Sequence, residues 1–314
     1  MLGLAELSAE EITELLDRAE RFWESAGSPA AAAFRMRKLS VVNLILEPST
    51  RTRCAFEIAE ERLGVEHVSL RWGEALSMAK GETLLDTVRT LAAMGVNVVV
   101  IRHPDVGIPA MIAEAIAEVH VVNAGDGTGE HPTQGLIDLL TLRRRWGSLG
   151  GRRVLVVGDI AHSRVARSNY HGLVALGAEV VLCGPKPFLP PREEWPRATL
   201  TTDLDDALSG CDAIMALRIQ HERLAASEVV PDLDAYRQLY GLTYQRMTRV
   251  PPGVPVLHPG PLNRDVEIDG AVADGERSLI WEQVRGGVAI RMAVLEAMAE
   301  APLGASAPAI VAGR

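Results

Sequence analysis

The feature that most constrains this chain is a series of short, wholly apolar runs separated by segments of helical periodicity. In the first half VVNLILE (41–47), VNVVVIRH (96–103) and VHVVNAG (119–125) alternate with amphipathic stretches at 8–25, 50–64, 83–95 and 108–117. A shorter strand, HVSL, is expected at 67–70, and a helix runs up to Trp146. The second half repeats the alternation with RRVLVVGD (152–159), AEVVLCG (178–184) and DAIMALRI (212–219). A strand that is apolar on both faces must be covered on both faces, which predicts parallel sheets between layers of helix. The expected fold class is therefore α/β: two doubly wound parallel-sheet domains joined by a hinge, with the active site in the cleft between them. GSLGG at 147–151 is the natural hinge. The expected division is 1–146 and 147–285, with a helix at 286–301 packing back on the first domain and a flexible tail at 302–314. A length of 314 residues suits two such cores. A long polar, aromatic stretch (220–250), given no helix or strand of its own, leads to the strand-like VPVLHPGP, and the glutamates of AFEIAEERLG are read as solvated residues of a helix with a core face.

The net charge of −9 argues against general binding to nucleic acid or to an anionic membrane. No uncharged apolar run approaches the roughly 18–20 residues that cross a bilayer. The segment MLGLAELSAEEITELL is acidic and amphipathic, unlike a secretory signal, and opens a helix at Ser8 with Glu11 as its capping-box partner. Cys54, Cys183 and Cys211 lie far apart in apolar contexts and read as reduced core thiols of a cytoplasmic protein. Only three of the 32 basic residues are lysines (Lys38, Lys80 and Lys186), so an anion site in this acidic chain must be built by gathering arginines.

The sharpest such gathering is Ser49-Thr50-Arg51-Thr52-Arg53, between an apolar strand and the helix that follows. The first N–H groups of a helix are unpaired and sit at the positive end of its dipole, so hydroxyls and a guanidinium added there make a phosphate cradle. Three further strand ends carry related groups: Arg102 and His103 after VNVVVI, His131-Pro132-Thr133-Gln134 after VNAGDGTGE, and Arg164 with Arg167 after VLVVGDIAHS. Neither a G-x-G-x-x-G turn nor a G-x-x-x-x-G-K-[ST] loop is present, which counts against a nucleotide-binding dehydrogenase. Polar and cationic groups recurring at the strand ends of both halves describe one site for a polyanion.

STRTR together with HPTQ resembles the transcarbamoylase family, and the resemblance runs over roughly residues 1–300. Ser77-Met78-Ala79-Lys80-Gly81-Glu82-Thr83, Ile101-Arg102-His103-Pro104, Arg218-Ile219-Gln220 and His258-Pro259-Gly260-Pro261 follow in family order, and the last two point to the aspartate branch. The resemblance implies that Ser49, Thr50, Arg51 and Thr52 bind the phosphate of carbamoyl phosphate. Arg102, His131 and Thr52 would reach its carbonyl oxygen, and Gln134 its amine. It implies that Arg164, Arg218 and Gln220 receive L-aspartate, with the backbone at Gly260–Pro261 closing the site. Ser77 and Lys80 would enter the site of a neighbouring subunit, which implies a homotrimer with shared active sites. An association of trimers with a regulatory chain or a dihydroorotase stays open.

The chemistry such a site needs agrees with these roles. Attack of a neutral amine on carbamoyl phosphate puts negative charge on the former carbonyl oxygen, where preorganised donors stabilise the transition state. Arg51 and Lys80 would neutralise the departing phosphate, and neither metal nor other cofactor is expected. An ornithine-using transcarbamoylase is the nearest alternative, but HPGP lacks the cysteine expected of that branch. A scaffold or regulatory subunit that kept the fold is the other.

Overall fold

The computed structural model describes residues 1–27, 39–71, 81–223 and 232–303. The chain divides into two compact units, Met1–Leu140 with Val284 onward, and Thr141–Gln283.

In the first unit, β1 (Ser40–Ile45), β2 (Glu66–Arg71), β3 (Val98–His103) and β4 (His120–Asp126) form one sheet in the order β2-β1-β3-β4. All its pairings are parallel. Helices α1 (Ala9–Gly27), α2 (Thr50–Leu63), α3 (Leu84–Ala93), α4 (Ile108–Ala115), α5 (Pro132–Trp146) and α11 (Ile280–Glu300) lie along this part of the chain, and the last two cross the division between the units. Val98 to Ile101 and Val42 are fully buried, each such aliphatic side chain contributing about 1.5–3 kcal/mol. The ends of the helices follow local chemistry. Ser8 and Glu11 close the expected capping box, each accepting the other's N–H, at 3.2 and 2.8 Å. Ser49 caps α2 and Gly64 ends it in the left-handed conformation.

The second unit holds a five-stranded parallel sheet. β5 (Arg153–Val157), β6 (Glu179–Cys183), β7 (Ala198–Thr201), β8 (Ala213–Ala216) and β9 (Val256–Leu257) lie in the order β7-β6-β5-β8-β9. Helices α6 (Arg164–Ala175), α7 (Leu204–Ala207), α8 (Leu233–Tyr240), α9 (Tyr244–Met247) and α10 (Gly270–Ala273) complete the unit. The α/β, parallel-sheet expectation holds in both units.

Several local expectations need correction. Within 220–250, α8 and α9 form because Asp232 and Thr243 cap them and because Tyr236, Tyr240 and Met247 enter the core. The C-terminal helix starts at Ile280, not 286. Gly286 and Gly287 lie within it as expected, Gly286 where a Cβ would press Trp23 at 3.3 Å. Cys54 is half-buried, whereas Cys183 and Cys211 are core residues as expected. The glutamates of α2 are not all solvated. Glu60 is completely buried, and accepts Asn43 Nδ2 at 2.9 Å. Burial raises its carboxyl to about 7, against the smaller opposing effect of the Asn43 hydrogen bond.

Candidate functional site

Open parallel sheets bind ligands beyond the carboxyl ends of their strands, where the strand order reverses. In the first unit that point lies between β1 and β3, because the chain leaves β1 toward β2 and returns on the other side as β3. Ser49 stands just past the end of β1, with its Oγ accepting Thr52 N–H at 3.3 Å. Thr50 and Arg51 are exposed in the first turn of α2, and Thr52 is buried. Arg102 pairs in register with Ile45, and its carbonyl accepts Leu46 N–H at 2.9 Å, so its backbone runs beside the end of β1, from which the chain leads to STRTR. The guanidinium donates to Glu47 Oε1 at 2.5 Å and to the Ala124 carbonyl at 3.3 Å, which anchors it between the ends of β1 and β4.

His131 and Thr133 are buried at the head of α5, with Thr133 Oγ1 3.5 Å from His131 Nδ1. Gln134 is partly exposed and donates to Asp138 at 2.8 Å. The loop that leads to them is held by Asp126, whose carboxylate accepts Gly107 N–H, Glu130 N–H and Asn123 Nδ2 at 2.8–2.9 Å. Ser77 and Lys80 lie outside the described residues.

The corresponding reversal in the second unit lies between β5 and β8. Gly158 follows β5 with φ 134°, and a Cβ there would sit 2.2 Å from the Leu217 carbonyl oxygen. Only glycine allows the two strand ends to approach this closely. Arg164 begins α6, buried, behind the Ser163 cap. Arg218 and Gln220 follow β8. Both carboxylate oxygens of Glu222 engage the guanidinium of Arg218, and Arg218 Nη1 also donates to the Ile219 carbonyl at 3.0 Å. That pairing raises Arg218 further and draws Glu222 down to about 2, so both stay charged at neutral pH.

Gly260, with φ 67°, and Pro261 follow β9 across a cis peptide bond. Gly260 N–H donates to His258 Nδ1 at 2.8 Å, so the proton of the neutral ring belongs on Nε2, 3.0 Å from Glu267 Oε1. The same Glu267 oxygen accepts Asn263 N–H at 2.7 Å, which fixes the turn from both sides. Ser49, Thr50, Arg51, Thr52, Arg102, His131 and Gln134 thus gather at strand and helix ends of the first unit, and Arg164, Arg218, Gln220, Gly260 and Pro261 at those of the second.

Sequence reasoning missed the carboxylates that hold these groups: Glu47, Asp126, Asp159, Glu222 and Glu267. A weak signal existed for Asp159, an acidic residue directly after an apolar strand and its glycine. Among the described residues no group of three or more His, Cys, Asp or Glu side chains is placed to hold a metal ion. No helix among them is long and apolar enough to cross a membrane.

Residues 1–144 match the carbamoyl-phosphate-binding domain of aspartate/ornithine carbamoyltransferase, and residues 150–298 match its aspartate/ornithine-binding domain. The chain belongs to the aspartate/ornithine carbamoyltransferase family. The resemblance read from STRTR and HPTQ is thereby borne out. Within the family, the aspartate carbamoyltransferase catalytic subunit of Gemmatimonas aurantiaca is 48% identical over 299 residues, 95% of this chain and 93% of the relative. Aspartate transcarbamoylase of Trypanosoma cruzi, solved with carbamoyl aspartate and phosphate, superposes with a TM-score of 0.82 at 28% identity, covering 94% of each chain. Ornithine carbamoyltransferase of Thermus thermophilus gives a TM-score of 0.80 at 24% identity, over 94% of this chain and 96% of that one, a likeness of fold alone.

Proposed function

We propose that this chain is an aspartate carbamoyltransferase acting in de novo pyrimidine biosynthesis. It transfers the carbamoyl group of carbamoyl phosphate to the amine of L-aspartate, giving N-carbamoyl-L-aspartate and phosphate. The observation that carries this reading is the 48% identity, over 95% of the chain, to a curated aspartate carbamoyltransferase catalytic subunit. The arrangement of each switch point supports it, because donors suited to anions stand at both.

In the first unit, Ser49, Thr50, Arg51 and Thr52 hold the phosphate with their side chains and with backbone N–H groups of the first turn of α2. Arg102, His131 and Thr52 donate to the carbonyl oxygen, and Gln134 takes the amide nitrogen. In the second unit, Arg164 and Arg218 take the two carboxylates of aspartate, Gln220 its amine region, and the Gly260–Pro261 backbone closes over it. The aspartate nitrogen, deprotonated, forms the new C–N bond as the carbonyl oxygen gains charge. Collapse breaks the C–O bond to phosphate, the departing phosphate takes the extra proton from the nitrogen, and Arg51 with Lys80 balances the anion. Much of the acceleration comes from holding two anions in reacting orientation against their mutual repulsion.

The family resemblance supports a cytoplasmic homotrimer in which Ser77 and Lys80 complete the site of a neighbouring subunit. The deciding experiment supplies carbamoyl phosphate with either L-aspartate or L-ornithine and measures the carbamoylated product. Preference for ornithine overturns the roles of Arg164, Arg218 and Gln220.

A further inference from the structure

Helix α11 carries a guanidinium whose charge nothing described balances. Arg291 is 3% exposed, and burial pulls it down to about 9, which leaves it protonated at neutral pH. Its Nη1 donates to the Gly287 carbonyl of its own helix at 2.6 Å, and its Nε has no hydrogen-bond partner. Among the described residues no carboxylate pairs with it. Its guanidinium carbon instead lies 4.8 Å from the centre of the Phe56 ring. Room for this placement comes from a missing side chain, since a Cβ on Gly287 would meet Arg291 Nη1 at 3.0 Å and Ile137 at 3.4 Å.

The position of this charge is informative. Phe56 follows Thr52 by one turn of α2 and Ser49 by two, so it lies on the same face as both. Ile137 stands one turn after Thr133 in α5, the helix that begins beside His131. The guanidinium therefore lies against a residue roughly 6–10 Å along the α2 axis from Thr52 and Ser49, at 1.5 Å rise per residue, and the glycine beside it in α11 faces α5. An isolated charge in a packed interior is costly and is retained only where something repays it. A dianion bound at the front of α2 would do so through weakly screened protein rather than through water.

We propose that Arg291 is a positioning residue of the phosphate site, its charge held behind α2 and α5 so that the bound phosphate group becomes its counter-charge. This rests on the assignment of Ser49–Thr52 to phosphate. Arg291 touches neither substrate; it acts through Phe56 and through the field at the helix ends.

The test measures the dissociation constant of inorganic phosphate for the full-length wild type, Arg291→Met, Arg291→Lys and Arg51→Ala, with the melting temperature of each in the absence of phosphate. The methionine variant should bind phosphate about tenfold more weakly and melt no lower than wild type, because an uncompensated buried charge has been removed. Lysine, which keeps the charge, should recover most of the affinity at pH 7. The KM for aspartate at saturating carbamoyl phosphate should change less than about twofold. Unchanged phosphate affinity in the methionine variant overturns the proposal, as does a joint loss of affinity and melting temperature that lysine fails to repair. Arg51→Ala separates the two levels: if it too leaves phosphate binding intact, the Ser49–Thr52 assignment itself fails. Should the methionine variant not fold, the lysine variant decides alone. A buried ammonium gives up its proton more readily than a guanidinium, so its phosphate affinity should fall relative to wild type between pH 7 and 9, and a constant ratio overturns the idea.

Discussion

The buried carboxylate of Asp159 accepts the backbone N–H of Gln220 at 2.9 Å, across 61 positions of sequence. Its other oxygen lies 2.7 Å from His162 Nδ1, on the turn that leads into α6. One side chain thus joins the end of β5, the approach to Arg164 and the Arg218–Gln220 segment. Removing it should disturb aspartate recognition and leave phosphate binding alone. Asp159→Ala is expected to raise the KM for aspartate by roughly 10- to 100-fold, the consequence of losing buried charge-assisted hydrogen bonds worth about 1.5–3 kcal/mol. Steady-state kinetics in aspartate, with phosphate binding measured alongside, checks this.

Gly158→Ala strikes the same switch point through the backbone. A Cβ at 2.2 Å from the Leu217 carbonyl oxygen cannot be relieved by turning a flexible side chain, and φ 134° disfavours any L residue. The substitution should cost about 3 kcal/mol or more. Urea denaturation should show a clearly lower midpoint than wild type.

Arg102 is held by Glu47 and the Ala124 carbonyl before any substrate arrives. If it donates to the developing oxyanion, Arg102→Ala should reduce kcat by roughly 100- to 1,000-fold, the range for loss of one such donor. Circular dichroism should remain that of wild type. A fall in apparent affinity with kcat intact would place Arg102 in ground-state binding instead.

Glu60 gives stability a pH dependence of known sign. Burial raises the folded-state carboxyl from 4.5 to about 7, so between those values the folded protein holds a proton that the unfolded chain has released. The contribution is full below about pH 4.5 and is lost as pH rises through 7, on the order of 3 kcal/mol in all. Glu60→Gln, neutral throughout, should remove this component. Unfolding free energies at pH 5, 6, 7 and 8 for both proteins supply the comparison.

The proposed sharing of active sites between subunits predicts complementation. Arg51→Ala and Lys80→Ala chains, each inactive alone, should regain activity when dissociated, mixed and reassembled, since some sites then combine two intact contributions. Hybrids demonstrated by mass spectrometry yet still inactive would count against a loop donated by a neighbour.

Much of the molecule was legible because its strands are buried on both faces. Val98 to Ile101 and Val154 to Val157 announce their environment by composition, and STRTR announces a helix start by its hydroxyls. β7 was harder to see. It is a four-residue edge strand after a proline-rich run, only partly buried and paired on one side alone, with β6. The α8 and α9 segments were obscured by polar residues between the few aromatic ones that face inward.

The amino-acid order by itself determined the alternation of strand and helix, the parallel sheets and the set of cations and hydroxyls suited to carbamoyl phosphate and aspartate. Those properties depend on local periodicity and on residue chemistry. Tertiary structure alone decided which carboxylate holds which group: Glu47 on Arg102, Glu222 on Arg218, Asp159 on Gln220, Glu267 on His258. It also turned Glu60 and Arg291 inward, where patterning suggested a solvated glutamate and said nothing of the arginine. A charge's partner and dielectric surroundings are set by what folds against it, and spacing along one segment carries no record of either.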